Sequence, residues 1–112
     1  MKENFKFKSW QWFICDTMHW TLLTGEIAEL NDKQDFINHC LVKAITLVQG
    51  RITNVNGLEH SSYALGQGTK EFKAMQDKLI AEYKKAESIL SDWLSGIKRP
   101  RGYTKLVNYY YK

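Results

Sequence analysis

Two cysteine–histidine pairs in this sequence could hold a metal ion. Cys15 and His19 lie four residues apart, so a helix would present both side chains on one face. His39 and Cys40 are adjacent further along the chain. Thiolate and imidazole are the usual ligands of structural zinc, and the two pairs together would supply a full tetrahedral ligand set.

The expected register of the helices keeps these pairs apart. In a helical hairpin that turns at residues 31 and 32, Cys40 would lie opposite Leu23, well along the helix from Cys15. The separation along the helix axis would be about 12 Å, which one ion cannot bridge. We therefore expect two buried thiols, with no metal and no other cofactor.

A pair of glutamates offers a second kind of chemistry. Glu26 and Glu29 are three residues apart in the run Leu22–Leu30, and this segment resembles the magnesium-binding helix of the all-α MazG-type nucleotide pyrophosphohydrolases. The resemblance implies a magnesium-dependent hydrolase in which the two glutamates would hold the ion. The family's pattern opens with two adjacent acids, whereas this chain has Gly25 before Glu26, and the family's second acidic pair has no counterpart here. Magnesium needs several converging oxygen ligands, so an ordinary exposed helix face is the expectation.

A glycine-rich segment precedes the last long helical pattern. Gly66–Lys70 combines two glycines with a lysine, and backbone amides in such a segment can hold a phosphate at the start of a helix. The segment lacks the full spacing of a phosphate-binding loop, and no strand pattern precedes it. We therefore interpret residues 57–69 as a long loop that ends in Thr69 as a helix N-cap.

The C-terminal tail, residues 98–112, contains the whole charge excess of the chain. Of 16 basic and 12 acidic side chains, five basic and no acidic ones lie in the tail, which leaves 11 and 12 in residues 1–97. Basic side chains neutralise phosphates, and tyrosine rings stack on unpaired bases. The alternative is a basic exposed terminus whose tyrosines pack on the rest of the protein. The predicted nucleic-acid interface consists of Lys98, Arg99, Arg101, Tyr103 and Lys105.

The first helical pattern is unusually rich in large aromatic rings. Tryptophan and tyrosine anchor protein interfaces, and rings on both sides of one helix exceed what its inner face can bury. We therefore predict a surface that binds another protein or a second copy of the chain. Its residues are Trp10, Trp12, Phe13 and Trp20.

Apolar residues at spacings of three and four predict three long helices. The predicted helices cover residues 9–30, 33–52 and 72–97. Ser9 is the candidate N-cap of the first helix, and Asp32 and Asp35 fall where carboxylates stabilise the first turn of the second. Pro100 and Gly102 end the third.

The two ends of the chain are predicted as extended arms, residues 1–8 and 98–112. The first alternates apolar and basic residues and the second is rich in β-formers, so the arms could pair as a small ribbon. The helices, joined by one short and one long connection, favour an all-α, up-down-up bundle that forms a single domain over residues 1–112. Their apolar area also favours a dimer.

Composition narrows the class of protein. Hydrophobic residues make up 44% of the chain and charged residues 25%, which is typical of a folded globular protein. The first residues lack the apolar segment of a secretory signal, and the apolar stretch Trp10–Leu23 is too short for a bilayer crossing. We expect a cytoplasmic, non-enzymatic regulator or inhibitor without membrane contact, such as those encoded by phages and other mobile elements. A nucleic-acid-binding protein is the alternative, and a MazG-like hydrolase is the second alternative.

Overall fold

The computed structural model of the protein describes residues 2–64 and 70–111, with residues 58–64 described by their backbone alone. These residues confirm the predicted all-α class, and no strand occurs within the described ranges. The helices are α1 (Trp10–Leu23), α2 (Lys33–Ala64), α3 (Lys70–Leu94) and α4 (Tyr103–Tyr110), with 3₁₀ turns at Lys2–Asn4 and Glu26–Glu29.

The starts of α1 and α2 are fixed by side-chain caps. The Ser9 hydroxyl accepts a hydrogen bond from the backbone amide of Trp12 at 3.3 Å. At the start of α2, a carboxylate oxygen of Asp32 accepts from the amide of Asp35 at 2.8 Å. Each cap satisfies an amide that has no partner inside its helix, and the predicted start of each helix is confirmed.

The first helix ends earlier than predicted. α1 stops at Leu23 rather than at residue 30, because Gly25 adopts a left-handed conformation (φ 79°) that terminates the helix. The longer connection that follows changes the register between α1 and α2. Thr17 donates to the backbone oxygen of Cys40 at 3.2 Å, so Cys40 lies beside Thr17 and not opposite Leu23 as predicted.

The second and third helices run antiparallel over most of their length. The side-chain amide of Gln76 in α3 donates to the backbone oxygen of Val55 in α2 at 2.6 Å. α2 continues to Ala64 through part of the predicted loop, whereas α3 ends at Leu94 because Gly96 is left-handed (φ 78°). The predicted glycine segment and N-cap, residues 66–69, lie outside the described residues.

The prediction of extended arms is wrong at both ends. The tail forms α4, which starts after the left-handed Gly102 and buries Leu106, Val107 and Tyr110 on one face. Helical spacing of these apolar side chains therefore outweighed the β-propensity of the tyrosines. The first arm forms the 3₁₀ turn Lys2–Asn4, so the two arms do not pair as a ribbon.

One hydrophobic core joins all four helices, since buried side chains from each of them pack in a single cluster. α1 is about 21 Å long and α2 about 48 Å, so α1 covers only part of the α2–α3 hairpin. The molecule is elongated, with extents of 51 × 27 × 25 Å. In the part of the chain that the structure describes, no helix has both the length and the apolar composition that a membrane span needs.

Candidate interaction surfaces

The four rings predicted to bind a partner lie in different environments. Phe13 has no exposed surface and packs edge-on against Tyr83 of α3, with ring centroids 5.9 Å apart. A partner cannot reach this ring. Trp10 is half-buried and meets Trp93 of α3 edge-on at 6.0 Å, so α3 covers part of it.

Trp12 lies on the outer side of α1 and is covered by the N-terminal arm. The ring of Phe7 contacts it edge-on at a centroid distance of 4.7 Å, and Lys2 Nζ lies 5.1 Å from its ring centroid. Lys2 also forms a 3.0 Å ion pair with Asp16, one helical turn beyond Trp12. The arm therefore closes over the first half of the outer side of α1.

The second half of that outer side is open. Trp20 is 53% exposed and Leu23 is 63% exposed, and their spacing of three residues places them side by side. The exposed His19 ring lies edge-on to Trp20 at 6.0 Å. We call His19, Trp20 and Leu23 the Trp20 face.

A second apolar surface lies where the hairpin extends beyond α1. Phe7 of the arm, Val55 of α2, and Met75 and Leu79 of α3 line a groove of about 500 Å³, which we call the arm groove. Met75 is 62% exposed. Lys6 and Lys8, which also line the groove, lie 3.6 and 3.4 Å from carboxylate oxygens of Glu82. The cationic side of this groove is thus partly neutralised.

The predicted nucleic-acid residues lie around α4. Lys98, Arg99, Arg101 and Lys105 are exposed, and Lys33 at the start of α2 lies close by, where it donates a hydrogen bond to Asn108. The ion pairs found among the described residues include none of these five cations. This end of the molecule therefore presents exposed cations that form no ion pair with a described carboxylate.

Tyr103, the predicted stacking ring, is packed against the protein. It is half-buried, with Trp93 edge-on at 5.6 Å and the guanidinium carbon of Arg99 5.5 Å from its centroid. Arg99 also donates to the Tyr103 hydroxyl at 3.1 Å, and hydrogen bonds with Thr104 and Arg99 lower the pKa of Tyr103. The ring is thus already held by its neighbours.

A groove opens between the start of α2, the end of α3 and α4. Its volume is about 430 Å³, and Lys33 and Arg99 belong to its lining, together with Gln34, Asn38 and Thr104. We call it the cationic groove. Sequence reasoning missed Lys33, because only the fold brings the start of α2 next to the tail.

The two thiols are buried and unreactive in character. Cys15 and Cys40 are free and fully buried, and burial raises the pKa of each thiol from its ordinary value of 9.0 to about 11. A thiol must ionise to act as a nucleophile or metal ligand, so these environments oppose both roles. Among the residues with described side chains, no three histidines, cysteines or carboxylates are grouped to hold a metal.

Glu26 is engaged by two neighbours from α2. One of its carboxylate oxygens accepts hydrogen bonds from Lys43 at 2.6 Å and from His39 at 2.9 Å, and these bonds lower the pKa of Glu26. Both Glu26 and Glu29 lie in a 3₁₀ turn rather than on a long helix. The segment therefore departs in structure from the magnesium-binding helix that its sequence resembles.

Leu23 is the part of the Trp20 face that sequence reasoning overlooked. The signal was present in the sequence, because Trp12, Asp16 and Leu23 share one helical stripe that lies away from the buried positions of α1.

Comparison with known proteins adds no family to this picture, since no protein-family model, no curated protein and no solved structure matches the chain.

Proposed function

We propose that this protein is a non-enzymatic interaction protein that binds a partner protein through the Trp20 face. The observation that carries the proposal is the exposure of Trp20 and Leu23, side by side, on a helix whose other large rings are covered. Burying a large apolar side chain contributes about 1.5–3 kcal/mol, and tryptophan is enriched among the residues that dominate interface energies. A partner that covers both side chains would gain substantial binding energy.

The role that fits such a surface is that of a small regulator or inhibitor. Helices α1, α2 and α3 would act as an up-down-up bundle that presents the Trp20 face on its outer side. The partner is another protein or, in a dimer, a second copy of this chain. In a dimer the same face would be buried on both copies, since a two-fold interface uses the same patch twice.

The described side chains support a binding role rather than catalysis. The thiols are buried with raised pKa values, and the Glu26 carboxylate is already paired with Lys43. A magnesium ion at Glu26 would have to displace a lysine that neutralises the same charge. We therefore assign the protein no catalytic residue.

Affinity capture with matched variants tests the proposal. Tagged wild-type protein, the double variant Trp20→Ala/Leu23→Ala, and Met75→Ala are used to capture proteins from native cells, with and without nuclease treatment. Met75 is the matched control because it is as exposed as Leu23 but lies in the arm groove. We expect wild type and Met75→Ala to retain the same nuclease-resistant protein, and the double variant to lose it.

Two results would contradict the proposal. One is retention of the partner by the double variant, and the other is its loss by Met75→Ala alone, which would place docking in the arm groove. Sedimentation velocity of each purified variant shows whether the partner is a second copy of this chain. If the partner is a second copy, the wild-type sedimentation coefficient rises with concentration and that of the double variant does not.

Nucleic-acid binding by the tail is the second candidate function. The observation that favours it is the group of exposed cations around α4 that form no ion pair with a described carboxylate. Tyr103 contributes less to this candidate, because Arg99 and Trp93 already contact its ring. Phosphate contacts release counterions, so binding of a single-stranded oligonucleotide would weaken steeply as salt rises. A partner held by the Trp20 face would show little change over the same salt range.

A further inference from the structure

The cationic groove combines positive charge with hydrogen-bond donors from separate elements of the fold. Lys33 comes from the first turn of α2, Arg99 from the connection between α3 and α4, and Thr104 from the first turn of α4. No carboxylate belongs to the described lining of this groove. Each of the other two described grooves contains Glu82, which forms ion pairs with Lys6 and Lys8, so the cationic groove differs from them in having no carboxylate beside its cations.

The donors in the groove have neutral partners at present. Lys33 donates to the side-chain oxygen of Asn108, and Arg99 donates to the hydroxyl of Tyr103 at 3.1 Å. These bonds join a cation to a neutral oxygen, whereas an anion would accept the same hydrogen bonds and add a Coulomb attraction to each cation. An anion in the groove would therefore replace weak acceptors with a stronger one.

Polar groups beside the two cations extend the donor set. The amides of Gln34 and Asn38 bond to each other at 3.0 Å, one turn apart on α2, and this single bond leaves amide hydrogens available on the pair. The Thr104 hydroxyl can also donate if it exchanges its hydrogen bond with Tyr103 for one to the ligand. The groove lining thus offers more hydrogen-bond donors than the two oxygens of one carboxylate can accept.

We propose that the cationic groove is a binding site for a phosphate group. A phosphate monoester carries close to two negative charges at neutral pH, which match Lys33 and Arg99, and its oxygens accept from several directions at once. The planar guanidinium of Arg99 can bond two of these oxygens in parallel. The volume of about 430 Å³ leaves space for the group that carries the phosphate. That group is either a small molecule, such as a nucleotide, or a nucleic-acid strand.

Titration with three probes tests the site and identifies the source of the phosphate. The probes are inorganic phosphate, a nucleoside monophosphate and a single-stranded oligonucleotide, each followed by amide NMR shifts at fixed ionic strength. The variants are Lys33→Gln and Arg99→Gln, with Lys105→Gln as the matched control. Lys105→Gln removes the same charge from an exposed position of α4 that does not line the groove.

We expect the nucleoside monophosphate to shift amides of residues 33–38 and 99–104 and to bind about ten-fold more weakly to Lys33→Gln and Arg99→Gln. Lys105→Gln should bind the monophosphate within about two-fold of wild type, because for this small probe it removes only long-range attraction. An oligonucleotide that binds more tightly than the monophosphate, with the same dependence on Lys33 and Arg99, would identify a nucleic-acid strand as the source.

Equal weakening of every probe by all three variants would overturn the proposal, because it would show diffuse attraction to the tail rather than a site. Absence of any shift around the groove would overturn it as well. All three positions are exposed, so circular dichroism should confirm that each variant stays folded. The result is separable from the proposed function, because none of these substitutions touches the Trp20 face.

Discussion

In the N-terminal half of α1 every large ring has a neighbour from another segment, whereas in the C-terminal half Trp20 and Leu23 face solvent. Trp10 meets Trp93 of α3, and Trp12 lies under Phe7 of the arm. The two halves do not differ in their inner side, which is buried along the whole helix. The difference lies in the cover, because the arm reaches the first half of the outer side and not the second.

This comparison explains why aromatic content alone is a poor guide to a binding surface. Four rings in α1 suggested one continuous interface, but the fold uses Phe13 for the core and supplies covers for Trp10 and Trp12. A ring becomes available to a partner only where no segment of its own chain reaches it. On α1 that condition holds at Trp20.

Truncating one ring from each side of α1 should give the largest difference in the free energy of unfolding. Phe13→Ala should lower the free energy of unfolding by about 3–5 kcal/mol, because it leaves a cavity in the core. Trp20→Ala should change it by less than about 1 kcal/mol, because much of that ring is already exposed. Urea unfolding measures both values. Similar losses for the two variants would mean that the outer side of α1 is not open.

The two thiols report on the inner side of α1. Burial raises the pKa of Cys15 and Cys40 from 9.0 to about 11, so at pH 9 alkylation of the native protein should be about 50-fold slower than that of the unfolded chain. Because the unfolded thiols lose their protons first, the free energy of unfolding should hold below pH 9.0 and fall as the pH rises to about 11.

A variant without the thiols provides the control for this pH dependence. In Cys15→Ala/Cys40→Ala, the thiol contribution to the loss of stability above pH 9.0 should disappear, leaving only the titration of other groups. Fast alkylation of either thiol in the native protein would show that the inner side of α1 is accessible to water. The same conclusion would follow if the stability of the double variant depended on pH as that of wild type does.

Releasing the arm should expose Trp12 to solvent, so that the outer sides of the two halves of α1 become more alike in exposure. Asp16→Asn removes the ion pair with Lys2, and the cost should be less than about 1 kcal/mol, since both side chains retain some exposure. Fluorotryptophan NMR resolves each tryptophan separately. The Trp12 resonance should become more sensitive to solvent in the variant, while that of Trp20 should stay unchanged. An unchanged Trp12 resonance would show that Phe7 alone keeps the arm closed.

Several helix boundaries were predictable from local signals. Ser9 and Asp32 cap the helices that their positions indicate, because capping depends on residues within one turn. Gly25 was an equally local signal for the end of α1, but the apolar period that continues to Leu30 concealed it. That error shifted the expected register and placed Cys40 opposite Leu23 instead of beside Thr17.

The tail and the surfaces were harder to predict for a physical reason. Tyr103–Tyr110 has both β-forming residues and a helical apolar spacing, and the helix wins because it buries Leu106, Val107 and Tyr110 against the core. The approach of Lys33 to Arg99 joins segments far apart in the chain, and the cover over Trp12 depends on the arm folding back onto α1. Local propensity contains no information on such contacts.

The affinity of the captured partner for Trp20→Ala tests the central claim most directly. An anchor of this kind contributes about 2 kcal/mol or more, so the dissociation constant should rise about 30-fold relative to wild type while the free energy of unfolding stays within about 1 kcal/mol. Titration calorimetry measures the first quantity and urea unfolding the second. A partner that binds Trp20→Ala as tightly as it binds wild type would contradict the account.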